Sequence, residues 1–173
     1  MSIRVRLLDT IGPLEIAALS DVLIDCVEGG ASVSFVWPMT RAKADAFWLR
    51  IADSVARNER LLFVAEDDRA IVGTVQLVIE QPENQPHRAD VAKMLVQQRV
   101  RRRGVGAALL TAVERGALDA GKSLLVLDTV SGGDGERLYV RGGWQRCGEI
   151  PNYALWPDGR PCPTTFFFKR LQC

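Results

Sequence analysis

The sequence predicts a mixed α/β fold in a single domain spanning residues 1–173, on three observations. The chain has 173 residues, 47% hydrophobic and 25% charged, enough for one substantial core. Its apolar pattern switches repeatedly between the two-residue period of strands and the longer period of helices. Glycine and proline punctuate those switches, and no internal repeat, low-complexity tract or linker interrupts them.

Residues 3–8 alternate Ile3, Val5 and Leu7 with Arg4 and Arg6, a short strand. Gly12 and Pro13 open a helix carrying Ile16, Leu19, Leu23 and Cys26 on one side, and Glu28-Gly29-Gly30 stops it. After an irregular stretch, Thr40 is positioned to N-cap a second helix with Ala44, Phe47, Trp48 and Ile51 at helical spacing, ending near Asn58. Residues 61–65 and 70–79 are apolar, β-branched runs that read as a hairpin around Glu66-Asp67-Asp68-Arg69, with Gly73 marking a bulge or a close approach. Pro82 and Pro86 place a loop before a strand at residues 90–96.

Val105, Ala108, Leu109, Ala112, Val113 and Ala120 share one helical face, and Gly121 terminates that helix. Residues 123–129 form a strand, and residues 136–141 a short helix closed by Gly142-Gly143. Residues 144–150 and 165–171 form late strands, with a turn at Pro157-Asp158-Gly159. The expected order is β, α, α, β, β, β, α, β, α, β, β.

Composition excludes several classes of function. Lys and Arg number 22 against 21 Asp and Glu, so no overall charge recruits nucleic acid or an acidic membrane. Cys26, Cys147, Cys162 and Cys173 form no C-x-x-C pair and His87 is the sole histidine, which argues against a metal site. Asp9, Glu15, Asp21 and Asp25 break up any secretory apolar segment, and no run of apolar residues is long enough to span a bilayer, so a cytoplasmic protein is expected.

One segment points to an anionic ligand. A strand, then Arg101-Arg102-Arg103-Gly104-Val105-Gly106, then a helix directs backbone N–H groups and the positive end of a helix dipole at one place. Glycine at 104 and 106 permits a close approach or unusual dihedrals. A Walker A loop needs Lys-Ser or Lys-Thr where Ala107-Ala108 stands, and the dinucleotide fingerprint needs a third glycine in a βαβ unit.

With Leu95-Val96 ending a strand, then Arg101 to Gly106, then Leu138-Tyr139 and Gly142-Gly143-Trp144, the chain resembles the GNAT acetyltransferase superfamily. It is similar in particular to the tabtoxin resistance acetyltransferases. That similarity rests on Gly29-Gly30-Ala31-Ser32-Val33, His87-Arg88-Ala89-Asp90-Val91, Leu127-Asp128-Thr129, Gly148-Glu149-Ile150-Pro151 and Pro157-Asp158-Gly159-Arg160. It departs from the superfamily pattern at Arg102, where glycine is common, and at Gly132-Gly133-Asp134-Gly135, where Asn-x-x-Ala is common.

The resemblance implies a GNAT-like α+β fold, with a central mixed, mostly antiparallel sheet flanked by helices. It implies acetyl-CoA as co-substrate and no metal. The pyrophosphate would lie on the amides of Arg101, Arg102, Arg103, Gly104, Val105 and Gly106, and the pantetheine along the backbone of Met94, Leu95 and Val96. The amide of Leu95 or Val96 would face the charge developing on the acyl oxygen.

An amine with a pKa near ~10 must lose a proton to attack a thioester. The resemblance offers Asp90 and Asp128 as bases, with their separate roles left open, and Tyr139 as the acid. Proton transfer from a phenol of pKa ~10 to a thiol of pKa ~8.5 is uphill by about 2 kcal/mol, so Tyr139 either transfers its proton with help or only hydrogen-bonds the sulfur. Phe35, Trp37, Met39 and the loop at residues 82–87 are the expected walls of the acceptor pocket.

The expected function is direct acetyl transfer to a small-molecule amine, such as an amino-acid-like antimetabolite or a β-lactam toxin, in resistance. The competing readings are a peptide lysine acetyltransferase and a non-catalytic acyl-CoA-binding module. No nucleic-acid or membrane partner is expected, and the oligomeric state stays open.

Overall fold

The computed structural model describes residues 3–172 apart from Arg69. Arg69 of the expected hairpin turn and Cys173 lie outside the described residues. The element order is β1 (Arg4–Leu7), α1 (Pro13–Glu28), α2 (Arg41–Ala56), β2 (Arg60–Glu66), β3 (Ile71–Val78), β4 (Arg88–Val96), α3 (Val105–Asp119), β5 (Leu124–Val130), α4 (Asp134–Arg141), β6 (Gln145–Leu155) and β7 (Pro161–Arg170), with one 3-10 turn at Gln98–Val100. The seven strands form one sheet in the order β1-β2-β3-β4-β5-β7-β6. Every neighbouring pair is antiparallel except β4 and β5, which run parallel. This is the mixed, mostly antiparallel sheet flanked by helices that the motifs imply.

The helix boundaries follow from local chemistry. Pro13 occupies the first turn of α1, where its missing N–H costs nothing, and Glu15 Oε2 accepts from Gly12 N–H at 2.9 Å. Thr40 Oγ1 accepts from Lys43 N–H at 3.2 Å and caps α2.

Alternation along β2 divides the core between the two faces of the sheet. Leu62 and Val64 face α1 and α2, where they pack with Leu19, Leu23 and Trp48. Phe63 and Ala65 face the other way, into the cluster that holds Leu109 and Val113 of α3 and Tyr139 of α4.

β6 and β7 differ from the expected strands by extending further toward their shared turn. The added residues include Pro151, Pro161 and Pro163; β6 is an edge strand and its pairing with β7 shifts register between Ile150 and Ala154. An edge or a bulge is where proline forfeits no ladder hydrogen bond.

Candidate active site

The one parallel junction in the sheet is where the site forms. Among the described residues β4 and β5 pair only at Arg88 with Leu124, Ala89 with Leu125 and Asp90 with Val126, and beyond these pairs the strands separate into a seam. β4 is also bulged there. Gln76 of β3 pairs with Ala92 but Thr74 pairs with Leu95, so Lys93 and Met94 together oppose Val75. Lys93 takes a left-handed backbone conformation, φ +51°, which few non-glycine residues adopt.

The seam opens into a cavity of about 420 Å³. Lys93 and Met94 of β4, Asp128 and Thr129 of β5, Tyr139 of α4 and Tyr153 of β6 contribute to its walls, and residues 32–36 of the α1–α2 connection close it. Of the pocket walls expected from sequence, Phe35 lines this cavity. Trp37 instead donates Nε1–H to Val27 O at 3.1 Å, and Met39 is buried in the core beneath α1 and α2. The loop at residues 82–87 does not line it.

Asp90 and Asp128 lie on the same face of the sheet, because Asp90 is in register with Val126 and Asp128 is two residues further along β5. Their surroundings differ. Asp90 is ion-paired with Arg88 and accepts from Gln81 Nε2 at 3.0 Å, and it does not line the cavity. Asp128 lines it. Burial among the surrounding walls raises the Asp128 carboxyl above the ordinary aspartate value, Lys93 opposes the shift and the Asp90 charge reinforces it. Solvent in the open cavity screens part of this effect, because the Asp128 side chain is exposed.

Tyr139 is 5% exposed, with Trp144 at 5.7 Å and Phe167 at 6.1 Å between ring centroids. Burial, and then the charge of Asp128, push its phenol well above the usual tyrosine range. The unusual Gly135 has a steric reason: a Cβ there would stand 2.7 Å from Thr129 Oγ1, so only glycine lets the first turn of α4 rest on β5.

Arg101 to Gly106 forms a turn leading into α3. Arg102 and Gly104 both have left-handed backbones, φ +59° and +82°. Gly104 caps α3 without a side chain, and the first intrahelical bond runs from Ala108 N–H to Gly104 O at 3.0 Å. The first-turn amides of α3 therefore have no intrahelical partners and no side-chain cap, as at helix starts where anions can be accepted. The Arg101 side chain turns inward and donates Nε–H to Val96 O at 3.1 Å. The two glycines serve different ends: Gly104 supplies the dihedral, whereas a Cβ on Gly106 would meet Leu138 Cδ2 of α4 at 3.1 Å.

The ladder also distinguishes Leu95 from Val96. Gln97 N–H bonds to Val72 O, so by antiparallel alternation the polar groups of Leu95 face β3 and those of Val96 face away from it, toward the seam. Lys93 is the site residue that sequence reasoning missed, since a lysine inside an alternating strand reads as solvent-facing. Among the described residues no group of three or more His, Cys, Asp or Glu is placed to hold a metal ion. No helix among them is long and apolar enough to cross a membrane.

Comparison with known proteins agrees with this geometry. Residues 25–148 match the model of the acetyltransferase (GNAT) family. An uncharacterized N-acetyltransferase from the hisH-hisA intergenic region of Azospirillum brasilense is 30% identical over 128 residues, covering 73% of this chain and 74% of that protein. Among solved structures, a Salmonella typhimurium protein assigned as an acetyltransferase and solved with its cofactor acetyl-CoA superposes with TM-score 0.81 at 17% identity, over 100% of this chain and 96% of that one. Ribosomal-protein-alanine N-acetyltransferase from Brucella melitensis superposes with TM-score 0.79 at 20% identity, over 97% and 99%.

Proposed function

The chain belongs to the acetyltransferase (GNAT) family, is on that footing an acetyl-CoA-dependent N-acetyltransferase, and, we propose, acetylates a small amino-acid-like amine by direct transfer. The observation that carries the acceptor reading is the cavity of about 420 Å³ at the seam, onto which both Asp128 and Tyr139 open. That volume is in the range of small-ligand sites. The motifs shared with the tabtoxin resistance acetyltransferases support an antimetabolite or β-lactam amine and a role in resistance. On this reading residues 1–173 act as one N-acetyltransferase domain in the cytoplasm.

Acetyl-CoA supplies an activated acetyl thioester. The first-turn amides of α3 and the turn from Arg101 to Gly106 would hold its pyrophosphate, and the seam-facing backbone of Val96, with its neighbours Met94 and Leu95, would hold its pantetheine arm. Val96 N–H is the better placed of the two candidate amides to stabilise charge on the acyl oxygen. Asp128 takes the proton from the acceptor's ammonium, directly or through water, and its raised pKa suits a base better than an unperturbed aspartate. Asp90, held by Arg88 and Gln81, acts by its charge on Asp128. Tyr139 keeps its proton throughout the working range, so its role is a hydrogen bond to the departing sulfur rather than full transfer.

The test is thiol release from acetyl-CoA across amino acids, amine antibiotics and lysine peptides. Turnover with amino-acid-like amines is expected. Turnover confined to lysine peptides would replace the acceptor reading, and acetyl-CoA binding with no turnover on any amine would replace catalysis with a sensing role.

A further inference from the structure

The cavity contains a cation that acetyl transfer to a simple amine does not need. Among the residues that line it, Lys93 is the only cation and Asp128 the only carboxylate. Among the described residues no carboxylate forms an ion pair with Lys93; its Nζ donates instead to Ser34 Oγ at 2.8 Å. Of the charges acting on Lys93, Asp128 is the larger and favours its cationic form, while Arg60 acts against it; the Arg60 guanidinium donates to Ser54 Oγ at 2.9 Å and Gln76 Oε1 at 2.5 Å.

The backbone is arranged around this contact. Lys93 stands at the bulge of β4 with φ +51°, and Ser34 stands across the cavity with φ +76°. Two non-glycine residues in left-handed conformations, joined by one hydrogen bond across a cavity, are the kind of strain found at ligand clamps. An unbulged β4 would send residue 93 to the face opposite Ala92, away from the acceptor side.

An amine acceptor arrives as an ammonium. Lys93 on the cavity wall repels it and offsets the pull of Asp128, so a monovalent amine gains little from the charges here. A zwitterion turns that repulsion into binding, with its ammonium toward Asp128 and its anionic end toward Lys93. We propose that Lys93 is a specificity-determining residue that holds the carboxylate of an amino-acid acceptor. This rests on the reading that the cavity receives the acceptor amine.

The experiment compares L-amino acids with their primary amides as acceptors for the wild-type protein, Lys93→Met, Lys93→Arg and Ser34→Ala. Initial rates are paired with calorimetric binding in the presence of coenzyme A, so that Lys93 is read even without turnover. The wild type is expected to favour the free acids. Lys93→Met should raise KM or Kd for them by about tenfold or more, as for loss of a hydrogen bond to a charged group, while the amides bind as well as before or better. Lys93→Arg should restore most of the preference, and Ser34→Ala should keep it because the charge remains. Equal losses on acids and amides, or a wild type that binds amides as well as acids, would overturn the proposal. A wild type that binds free acids through Lys93 but acetylates no amine would leave it standing and remove the catalytic reading.

Discussion

A Cβ on Gly73 would stand 2.9 Å from the carbonyl oxygen of Leu95, so β3 approaches β4 more closely than any side chain allows. The same position faces Leu109 Cδ1 of α3 at 3.2 Å. Gly73→Ala is expected to destabilise the fold by about 1–3 kcal/mol through overpacking and to raise KM for acetyl-CoA, because the strand that gives way is β4. Denaturant titration and steady-state kinetics check the two effects. Unchanged stability would show that β4 moves freely.

Gly104→Ala tests the turn before α3. The space around Gly104 is open, so the cost is conformational, about 1–2 kcal/mol for a left-handed backbone at a residue with a Cβ. Weaker binding of coenzyme A by calorimetry is expected, with kcat little changed at saturation. A drop in kcat alone would place the defect at the chemistry instead.

Tyr139→Phe retains the ring packing against Trp144 and Phe167 and removes only the hydroxyl. Loss of kcat by about tenfold to 10²-fold is expected, as for loss of a hydrogen bond to a charged sulfur, with coenzyme A affinity and melting temperature unchanged. Wild-type turnover in this variant would remove Tyr139 from the reaction.

Asp128 separates activity from stability. Its folded-state pKa is raised above the ordinary value of 3.8, so the carboxyl favours folding below that value and loses this contribution as pH rises through the folded pKa. Above that window the partly desolvated charge works weakly against the fold, screened by solvent in the cavity. Asp128→Asn is therefore expected to melt at the same temperature or higher near pH ~7, with the difference shrinking toward pH ~3, while kcat falls sharply. Thermal melts across that range measure it. A variant clearly less stable at neutral pH would mean that the attraction of Lys93 outweighs burial.

Much of the fold is legible in the sequence because its signals are local. Thr40 caps α2, Gly121 ends the segment after α3, and the alternation around Val64 sorts the two core faces, each readable within one turn or strand. The turn from Arg101 to Gly106 is legible for the same reason. What escaped depends on distant partners. Lys93 is exceptional only because Gln76 and Thr74 of β3 fix a bulge that no glycine or proline announces, and Asp90 differs from Asp128 only through Arg88 and Gln81. The ends of β6 and β7 depend on an edge position that a single chain pattern does not reveal.

The contact between Gly106 and Leu138 links two parts of the site that otherwise have separate foundations. The turn at residues 101–106 leads into α3 and the phenol of Tyr139 stands on α4, and the absent methyl at position 106 leaves room for the Leu138 side chain between them. Position 106 thus acts as a gauge block. A bulkier residue there would press on the Leu138 side chain, one residue from the phenol, so a change made in the turn would be felt beside the ring.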